Sequence, residues 1–417
     1  MKPNCLLANR LLALSAAVLS LLATARAQNE SLASIFTNAD LRAIPERRTS
    51  IIYIQCHGLG YGDLSCYGQT NYETPNLDKL AAEGIRFTNF RPAGTNFTTA
   101  LSPLMYGKKA STAGTATVAT RLQAAGYHTG LIGEWALDSH PWSGGFDEFA
   151  GFLTEDGGRN YYAPAIWRFD PRNTFDPASQ KWVDWKPGTF HNGGPVAIYS
   201  NRGGMKGEYT PEILVSAMCN FVRINHPDQF NRYKPFFLLV NLPAPRSAAA
   251  GADEFPVPSD APYTDAPWPQ AAKDRAALIT RLDGAVGQLF EQLQASGMSN
   301  NLAIFFSSSE APEKFKDAKM SFLSPDGKAV AGDHGAAAPL PMIVHWPEGI
   351  PAGQVSNFKW TGLDFAPTVL DISYVRPTKD LDGMTVLPVL RGAHGPDVDK
   401  PTVPDMMSPG GPGGRTR

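Results

Sequence analysis

The feature that most constrains the fold is the alternation of short apolar strands with amphipathic helices in the first half of the chain. Residues 51–54 are apolar without interruption, and a helical pattern that begins at Pro75 places Leu77 and Leu80 on one face. A strand that is apolar on both faces needs cover on both sides, and helices that cross between parallel strands provide it. The sequence therefore predicts an α/β fold with a large, mostly parallel sheet, helices on both of its faces, and residues 51–54 as a central strand.

The same alternation continues towards the C-terminus. Helical patterns cover residues 117–125 and a long stripe through the 280s, and further strands are predicted at residues 129–132, 235–240, 302–306 and 342–344. The long stripe is the clearest helical pattern, with apolar side chains at Leu278, Ile279, Leu282, Val286, Leu289, Phe290 and Leu293. Residues 140–210 are rich in Trp, Gly, Pro and Asn and show little periodicity, so we predict long surface insertions there.

Residues 1–27 have the pattern of a secretory signal. Lys2 and Arg10 give a positively charged start and precede an apolar run that is too short to span a membrane. Small residues flank Arg26 at a site that resembles a signal-cleavage site. A membrane anchor is the alternative, and signal cleavage would make the protein secreted or periplasmic. The predicted organisation is then a signal peptide (1–27), an N-terminal linker (28–48), an α/β domain (49–395) and a disordered tail rich in Pro and Gly (396–417).

The charge balance argues against some partners. The chain has 37 basic and 39 acidic residues. Cleavage of the signal would remove three basic residues and no acidic ones, so 34 basic and 39 acidic residues would give a net charge of -5. A negative chain is a poor partner for nucleic acid or for an anionic membrane, and we predict neither.

The cysteines that follow the signal are Cys56, Cys66 and Cys219. An odd number in an exported protein leaves at least one thiol without a partner in the chain. A bridge between Cys56 and Cys66 is compatible with their spacing, but spacing alone does not establish one.

Eight short segments carry a resemblance to a known family. The first reads Gly60-Tyr61-Gly62-Asp63, and the complete set covers residues 60–68, 74–81, 84–90, 126–133, 145–149, 234–238, 341–344 and 381–383. In this order they resemble the sulfatase family of the alkaline-phosphatase-like superfamily. The resemblance covers most of residues 50–395 and implies the fold predicted above. It also implies that the family's C-terminal subdomain, which usually follows the segment at 387–390, is missing here.

The resemblance locates a nucleophile position whose residue has changed. In the family this position holds formylglycine, made from Cys, or Ser, within Cys/Ser-x-Pro-Ser-Arg. Anchoring on residues 93–94 places Thr98 there, whereas anchoring on Gly107 places Phe97 there. Thr98 or Thr99 is the candidate nucleophile of a divergent enzyme. The alternative is a turn threonine that hydrogen-bonds to its own backbone.

The metal positions implied by the resemblance have also changed. The family holds calcium with two adjacent aspartates and a later Asp-Asn pair, and these positions read His57, Gly58, Ser309 and Glu310 here. Calcium takes about six or more oxygen ligands, several of them charged. We therefore expect no calcium and no other cofactor. A transition-metal site of His57, Glu310 and Cys56 is an alternative, and a hydrogen-bonded structural role for His57 is the other.

At the positions where the family has Lys and His, this sequence has side chains of different charge or size. Glu134 and Ala136 stand where the family has Lys and His, and Arg246 stands where it has a second His. Lys328 aligns with a remaining lysine if one gap is allowed. Arg246 could bind an anion or be a solvated loop residue. Nothing in these positions holds a divalent ion, and carboxylates from other segments converging beside Thr98 would contradict that expectation.

Two functions follow from these substitutions. The first is an exported protein with a sulfatase fold that is catalytically inactive and binds a sulfated or other anionic glycan, or a protein partner. The aromatic residues of the insertion suggest sugar-stacking platforms, and packing of long loops is the alternative; they are Trp142, Tyr161, Tyr162, Trp167, Trp182 and Trp185. The second function is a divergent hydrolase of sulfuric or phosphoric esters that uses Thr98 or Thr99, assisted by Glu310 and His57.

Overall fold

The computed structural model describes residues 48–111, 114–169, 194–226, 234–248, 254–312 and 339–392, with the backbone of four further two-residue strands at 175–176, 181–182, 322–323 and 329–330. The predicted signal and tail and almost all of the predicted linker lie outside this part of the chain, so the domain boundaries remain predictions. None of the helices within the described ranges is long and apolar enough to cross a membrane.

Eight α-helices are described. They are α1 (Pro75–Ala82), α2 (Phe97–Tyr106), α3 (Val118–Ala124), α4 (Glu155–Gly158), α5 (Thr210–Asn225), α6 (Gln270–Ala295), α7 (Phe365–Ile372) and α8 (Leu387–Leu390). Pro75 begins α1 at a position where its missing N–H costs nothing, and Thr117 caps α3 by accepting a hydrogen bond from the backbone of Thr120. The predicted helices of the first half and the long stripe are confirmed.

Eleven strands form the large sheet of the described chain. They are β1 (Ser50–Cys56), β2 (Ile85–Arg91), β3 (His128–Glu134), β4 (Glu148–Phe152), β5 (Ala165–Phe169), β6 (Gly194–Ala197), β7 (Phe236–Leu242), β8 (Leu302–Ser308), β9 (Leu340–His345), β10 (Gln354–Ser356) and β11 (Trp360–Thr361). The order across the sheet is β10-β2-β9-β8-β1-β7-β3-β4-β5-β6, and β11 also pairs with β2.

The centre of the sheet is parallel and its flanks are mixed. The five adjacent strands β8, β1, β7, β3 and β4 run parallel, and β1 lies between β7 and β8 as the central strand that the sequence predicts. On one side β9 is antiparallel to β8 and to β2, and on the other side β5 is antiparallel to β4 and β6. The α/β class is confirmed, and three strands of the predicted insertion (β4, β5 and β6) extend the sheet.

Apolar side chains cover both faces of the central strand. Ile51 and Tyr53 belong to one buried cluster, and Ile52 and Ile54 belong to another, because successive strand residues point to opposite faces. Helices α2, α3 and α7 contribute to the first cluster, and α1, α5 and α6 contribute to the second. This two-sided cover fixes the central strands, so that their carboxyl ends open at one common edge of the sheet.

Candidate functional site

Four of the side chains singled out in the sequence lie at the carboxyl ends of neighbouring parallel strands. His57 follows β1, Glu134 ends β3, Arg246 follows β7 and Glu310 follows β8. All four residues are buried, with 0% exposure for His57 and Glu134, 7% for Arg246 and 8% for Glu310. Ligands of open α/β sheets bind outside this edge, so the geometry brings together the residues that the sequence assigned to one centre.

The loop that follows β1 is held by a buried ion pair. Asp63 and Arg275 of α6 are both almost fully buried, and the two guanidinium nitrogens lie 2.5 and 2.7 Å from the two carboxylate oxygens. Arg275 also donates to the carbonyl of Gly58, and Asp63 accepts from the backbone N–H of Gly60 at 2.6 Å. This paired arrangement fixes the backbone that carries His57 into the centre.

His57 is paired with Glu134 across the ends of β1 and β3. Nδ1 of His57 lies 2.7 Å from Oε2 of Glu134, but the contact is not aligned as a hydrogen bond. The ring of Phe97 lies against the imidazole, with 4.0 Å between the ring centroids. A Cβ added at Gly158 would lie 1.6 Å from Oε1 of Glu134, so only glycine at this position leaves space for the carboxylate.

Arg246 contacts two carboxylates. Its Nε lies 3.4 Å from Oε1 of Glu310, and one of its terminal nitrogens donates to Oε1 of Glu155. Burial raises the pKa of Glu310 despite the positive charges nearby. Burial opposes ionisation of Glu155 as well, but the hydrogen bond from Arg246 lowers the pKa of that carboxyl below its ordinary value. Arg246 is therefore a buried cation between two glutamates, and a solvated position for it is wrong.

Thr98 and Thr99 both lie in the first turn of α2 and make different contacts. The hydroxyl of Thr98 donates to Oε2 of Glu155 at 3.2 Å. Thr99 is exposed and joins a reciprocal cap with Asn96, in which the Asn96 side chain accepts from the Thr99 backbone and the Thr99 hydroxyl accepts from the Asn96 backbone. A backbone-satisfied turn threonine thus describes Thr99, whereas Thr98 faces a carboxylate.

Glu155 is the residue of this centre that sequence reasoning missed. It begins α4, and the preceding Thr154 caps that helix by accepting from the backbone of Gly157. Thr154 followed by two acidic residues indicates a helix start, but it does not indicate proximity to Thr98. One carboxylate from a segment outside the aligned positions thus lies beside Thr98, which is fewer than the several converging carboxylates that would contradict the expected lack of a divalent-ion site.

The residues at the family's metal positions do not fit calcium. Gly58 has no side chain and a φ of +73°, and the Ser309 hydroxyl donates to the carbonyl of Cys56. Of the four positions, only Glu310 supplies a carboxylate, and it faces Arg246. Across the described ranges no group of three or more His, Cys, Asp or Glu is placed to hold a metal. Because calcium needs several charged oxygen ligands, we derive no step through a metal.

The candidate residues that remain are Ala136, Lys328 and the three cysteines. Ala136 is partly buried against the apolar core, where a methyl group replaces any acid, and Lys328 lies outside the described residues. Cys56, Cys66 and Cys219 are free thiols in this structure, so no bridge joins the first two. Burial raises the pKa of the Cys56 thiol, which opposes its service as a thiolate ligand.

The aromatic residues of the insertion divide between core and surface. Tyr161 is buried, and Trp142 packs against the core beside Phe169, with 5.3 Å between those two rings. Packing, the alternative to sugar stacking, therefore describes these two residues. Trp167 is partly buried, Tyr162 packs at the edge of a small cluster, and the side chains of Trp182 and Trp185 lie outside the described residues.

Comparisons with known proteins agree with this fold. Rat N-acetylgalactosamine-6-sulfatase is 26% identical over 389 residues, covering 84% of this chain and 67% of the rat protein. Human arylsulfatase A is also 26% identical, over 375 residues, covering 83% of this chain and 68% of the human protein. The human N-acetylgalactosamine-6-sulfatase is covered over 65% of its length. The chain thus spans about two thirds of these relatives.

Solved structures show the same architecture. A protein solved in complex with k-i-k-neocarrahexaose superposes with a TM-score of 0.61 at 24% identity, covering 82% of this chain and 76% of that one. A second, solved with its substrate D-glucosamine-2-N,6-O-disulfate, superposes with a TM-score of 0.58 at 21% identity, covering 83% and 81%. At these identities the likeness shows the fold alone. The family model named Sulfatase matches residues 49–373, and the chain therefore belongs to the sulfatase family.

Proposed function

We propose that this protein is an exported, catalytically inactive member of the sulfatase family that acts by binding a sulfated or other anionic glycan. The observation that carries the proposal is the charge of the centre. Three carboxylates, on Glu134, Glu155 and Glu310, lie in a centre with one arginine and one histidine. Arg246 contacts Glu155 and Glu310, and the imidazole of His57 contacts Glu134. A sulfate group at this edge of the sheet would meet net negative charge, the reverse of what its transition state needs.

The lost interactions are large enough to remove the acceleration of the reaction. A single preorganised electrostatic contact to developing charge is typically worth about 3–4 kcal/mol of barrier. The metal positions do not fit calcium, Glu134 replaces a cation, and Ala136 replaces an acid of the family pattern. Several such losses in one centre outweigh what Thr98 alone can contribute, because its hydroxyl retains its proton at neutral pH.

Binding of a glycan is supported by the relatives and not by the centre itself. Two solved neighbours were obtained with a carrahexaose and with a disulfated glucosamine. The acidic centre argues that any anionic sugar is held outside it. Export rests on the signal-like pattern of residues 1–27.

The inactivity half of the proposal is tested by turnover of 4-nitrophenyl sulfate and 4-nitrophenyl phosphate, with and without added calcium. We expect the full chain and the Thr98→Ala variant to show the same background rate. Thr70→Ala is the matched control, since Thr70 is an exposed threonine whose backbone N–H donates to the side chain of the neighbouring Gln69. Turnover that Thr98→Ala abolishes and Thr70→Ala retains would sink the inactivity proposal.

The binding half is tested by calorimetric titration of the full chain with sulfated chondroitin, heparin and carrageenan oligosaccharides. We expect saturable binding to at least one of them and weaker binding to its desulfated counterpart. Absence of binding to every sulfated oligosaccharide contradicts the glycan proposal and leaves the inactivity result standing.

A second function is favoured by one observation. The Thr98 hydroxyl lies within hydrogen-bond reach of Glu155, and Arg246 orients that carboxylate from its other oxygen. A nucleophile, a base and a group that orients the base form the arrangement used for activated hydroxyl attack. In this divergent hydrolase Glu155 accepts the proton of Thr98 as Oγ1 attacks sulfur or phosphorus and the bond from that atom to the alcohol oxygen of the ester breaks. The alcohol leaves with a proton from water, and a second water then hydrolyses the ester formed on Thr98 and restores the hydroxyl. The turnover experiment above decides between the two functions.

A further inference from the structure

Residues 199–208, between β6 and α5, form a surface loop that one buried side chain fixes; we call it the 199–208 loop. Asn201 is 2% exposed. Its amide nitrogen donates to the carbonyls of Ala163 and Glu208, at 3.0 and 2.7 Å, and its oxygen accepts from the backbone N–H groups of Gly207 and Glu208. Four hydrogen bonds from one side chain close the loop on itself and tie it to the body of the protein.

The fixed loop presents aromatic, apolar and cationic side chains to solvent. Tyr199 is 70% exposed and Met205 is 57% exposed. The guanidinium of Arg202 lies 4.1 Å from the centroid of the Tyr199 ring, and the ammonium of Lys206 lies 5.6 Å from that of Tyr162. Ordering large apolar side chains in water brings no burial in return, which makes such a surface a candidate for binding.

The chemistry of this surface matches a sulfated sugar. Tyrosine rings offer flat faces to the apolar side of a sugar ring, and arginine and lysine beside them offer charge-assisted hydrogen bonds to sulfate oxygens. The loop's carboxylate, on Glu208, accepts a hydrogen bond from the Ser200 hydroxyl at 2.7 Å. Residues 199–208 contain two basic side chains, Arg202 and Lys206, and one acidic side chain, Glu208, so the local charge of the loop favours an anionic occupant.

Hydrogen bonds through Tyr161 connect the start of α5 to the segment that carries Arg246. Tyr162 follows Tyr161, whose hydroxyl donates to the backbone carbonyl of Arg246. The backbone carbonyl of Tyr161 in turn accepts from Thr210, the residue that begins α5 directly after the loop. The backbone at the start of α5 is thus connected through Tyr161 to the segment that carries Arg246, and none of the three carboxylates of the centre belongs to the loop.

We propose that the 199–208 loop, together with Tyr162, is the binding surface for a sulfated oligosaccharide. The proposal rests on the proposed glycan-binding function and assigns that function a place. Arg202 and Lys206 contact sulfate groups, and Tyr199 stacks on a sugar ring. The acidic centre behind the loop takes no part in binding the anion.

The test compares full-chain variants by calorimetric titration with the sulfated oligosaccharide that binds wild type most tightly. Arg202→Ala combined with Lys206→Ala removes two exposed charges of the surface. The matched control combines Arg223→Ala with Lys379→Ala, which changes the net charge equally at two exposed positions elsewhere. Arg223 lies 13 residues into α5, so about 20 Å of helix separates it from the loop.

We expect the Arg202/Lys206 variant to bind at least about tenfold more weakly, since it lacks two charge-assisted hydrogen bonds to sulfate oxygens, and the control to bind as wild type does. Tyr199→Ala should weaken binding too. Wild-type affinity in both loop variants, or equal losses in the Arg202/Lys206 variant and its control, overturns this surface and leaves the glycan function intact. A wild-type chain that binds no sulfated oligosaccharide overturns both. Thermal unfolding at wild-type temperature confirms that the variants fold.

Discussion

Replacing Arg246 by methionine tests whether the charges of the centre stabilise one another. Methionine keeps much of the length of the side chain and removes the charge, so Glu310 and Glu155 lose the cation they share. At the 3.4 Å between Nε and Oε1 of Glu310, Coulomb's law with an effective dielectric constant of about 20 gives about 5 kcal/mol. Removing one partner of a buried pair typically costs about 3–5 kcal/mol, and we expect a loss of that size in the free energy of unfolding near pH 7.5.

The pH dependence of this loss follows from the two glutamates. Glu155 has a lowered pKa in the folded protein, so its stabilisation is present above its unfolded pKa and is lost as the pH falls through the folded pKa. Glu310 has a raised pKa, so the unfavourable burial of its charge grows as the pH rises through that pKa. For both reasons the stabilisation of the folded protein by Arg246 is largest near neutral pH. The penalty of the variant should therefore be smaller at about pH 4.5, where the Glu310 carboxyl with its raised pKa takes up protons, whereas the share due to Glu155 is lost only at lower pH.

Urea unfolding followed by tryptophan fluorescence at both pH values measures the penalty. Arg223→Met is the control, since an exposed arginine on α5 should change stability by no more than about 0.5 kcal/mol. A penalty for Arg246→Met below about 1 kcal/mol near neutral pH, or one of equal size at both pH values, refutes the reasoning.

Three further predictions follow from the buried groups. Asp63→Asn should lower the free energy of unfolding by about 3–5 kcal/mol in urea titrations. The double variant with Arg275→Met should lose less stability than the sum of the two single variants, since the second change removes the unpaired buried charge, and full additivity would contradict this. Asn201→Ala should cost about 1–3 kcal/mol and speed amide exchange in residues 199–208, measured by mass spectrometry, whereas unchanged exchange would show that the side chain does not hold the loop. Native protein treated with iodoacetamide at pH 8 should leave Cys56 unmodified until denaturant is added, because the thiol is buried and its pKa is raised; labelling of Cys56 before Cys219, which is partly exposed, would be the opposite result.

The parts of the fold that the sequence predicted are those with a local periodic signal. The apolar run at residues 51–54 and the apolar stripe of α6 each consist of side chains that are buried at regular positions along the element. Both elements form where predicted. The direction of β9 and the strands β4, β5 and β6 were not predicted, because short strands at the flank of a sheet are defined by pairing with distant partners.

The place of the candidate site in the fold was predictable from the sequence, but the contacts among its side chains were not. His57, Glu134, Arg246 and Glu310 follow predicted strands, and parallel strands end at one edge, so their proximity follows from the fold. Which carboxylate faces which cation depends on the loops after β4 and β7, whose course has no periodic signal. That is why Glu155 was missed and why Arg246 was not recognised as buried.

The glycine that abuts the Glu134 carboxylate also constrains which substitutions this site can accept. A Cβ at position 158 would lie 1.6 Å from Oε1 of Glu134, so a larger residue there would displace the buried carboxylate or shift α4. Replacing Glu134 would also remove the carboxylate that lies 2.7 Å from Nδ1 of His57. Positions 134 and 158 are therefore coupled, because a residue larger than glycine at 158 and the carboxylate at 134 would compete for the same space.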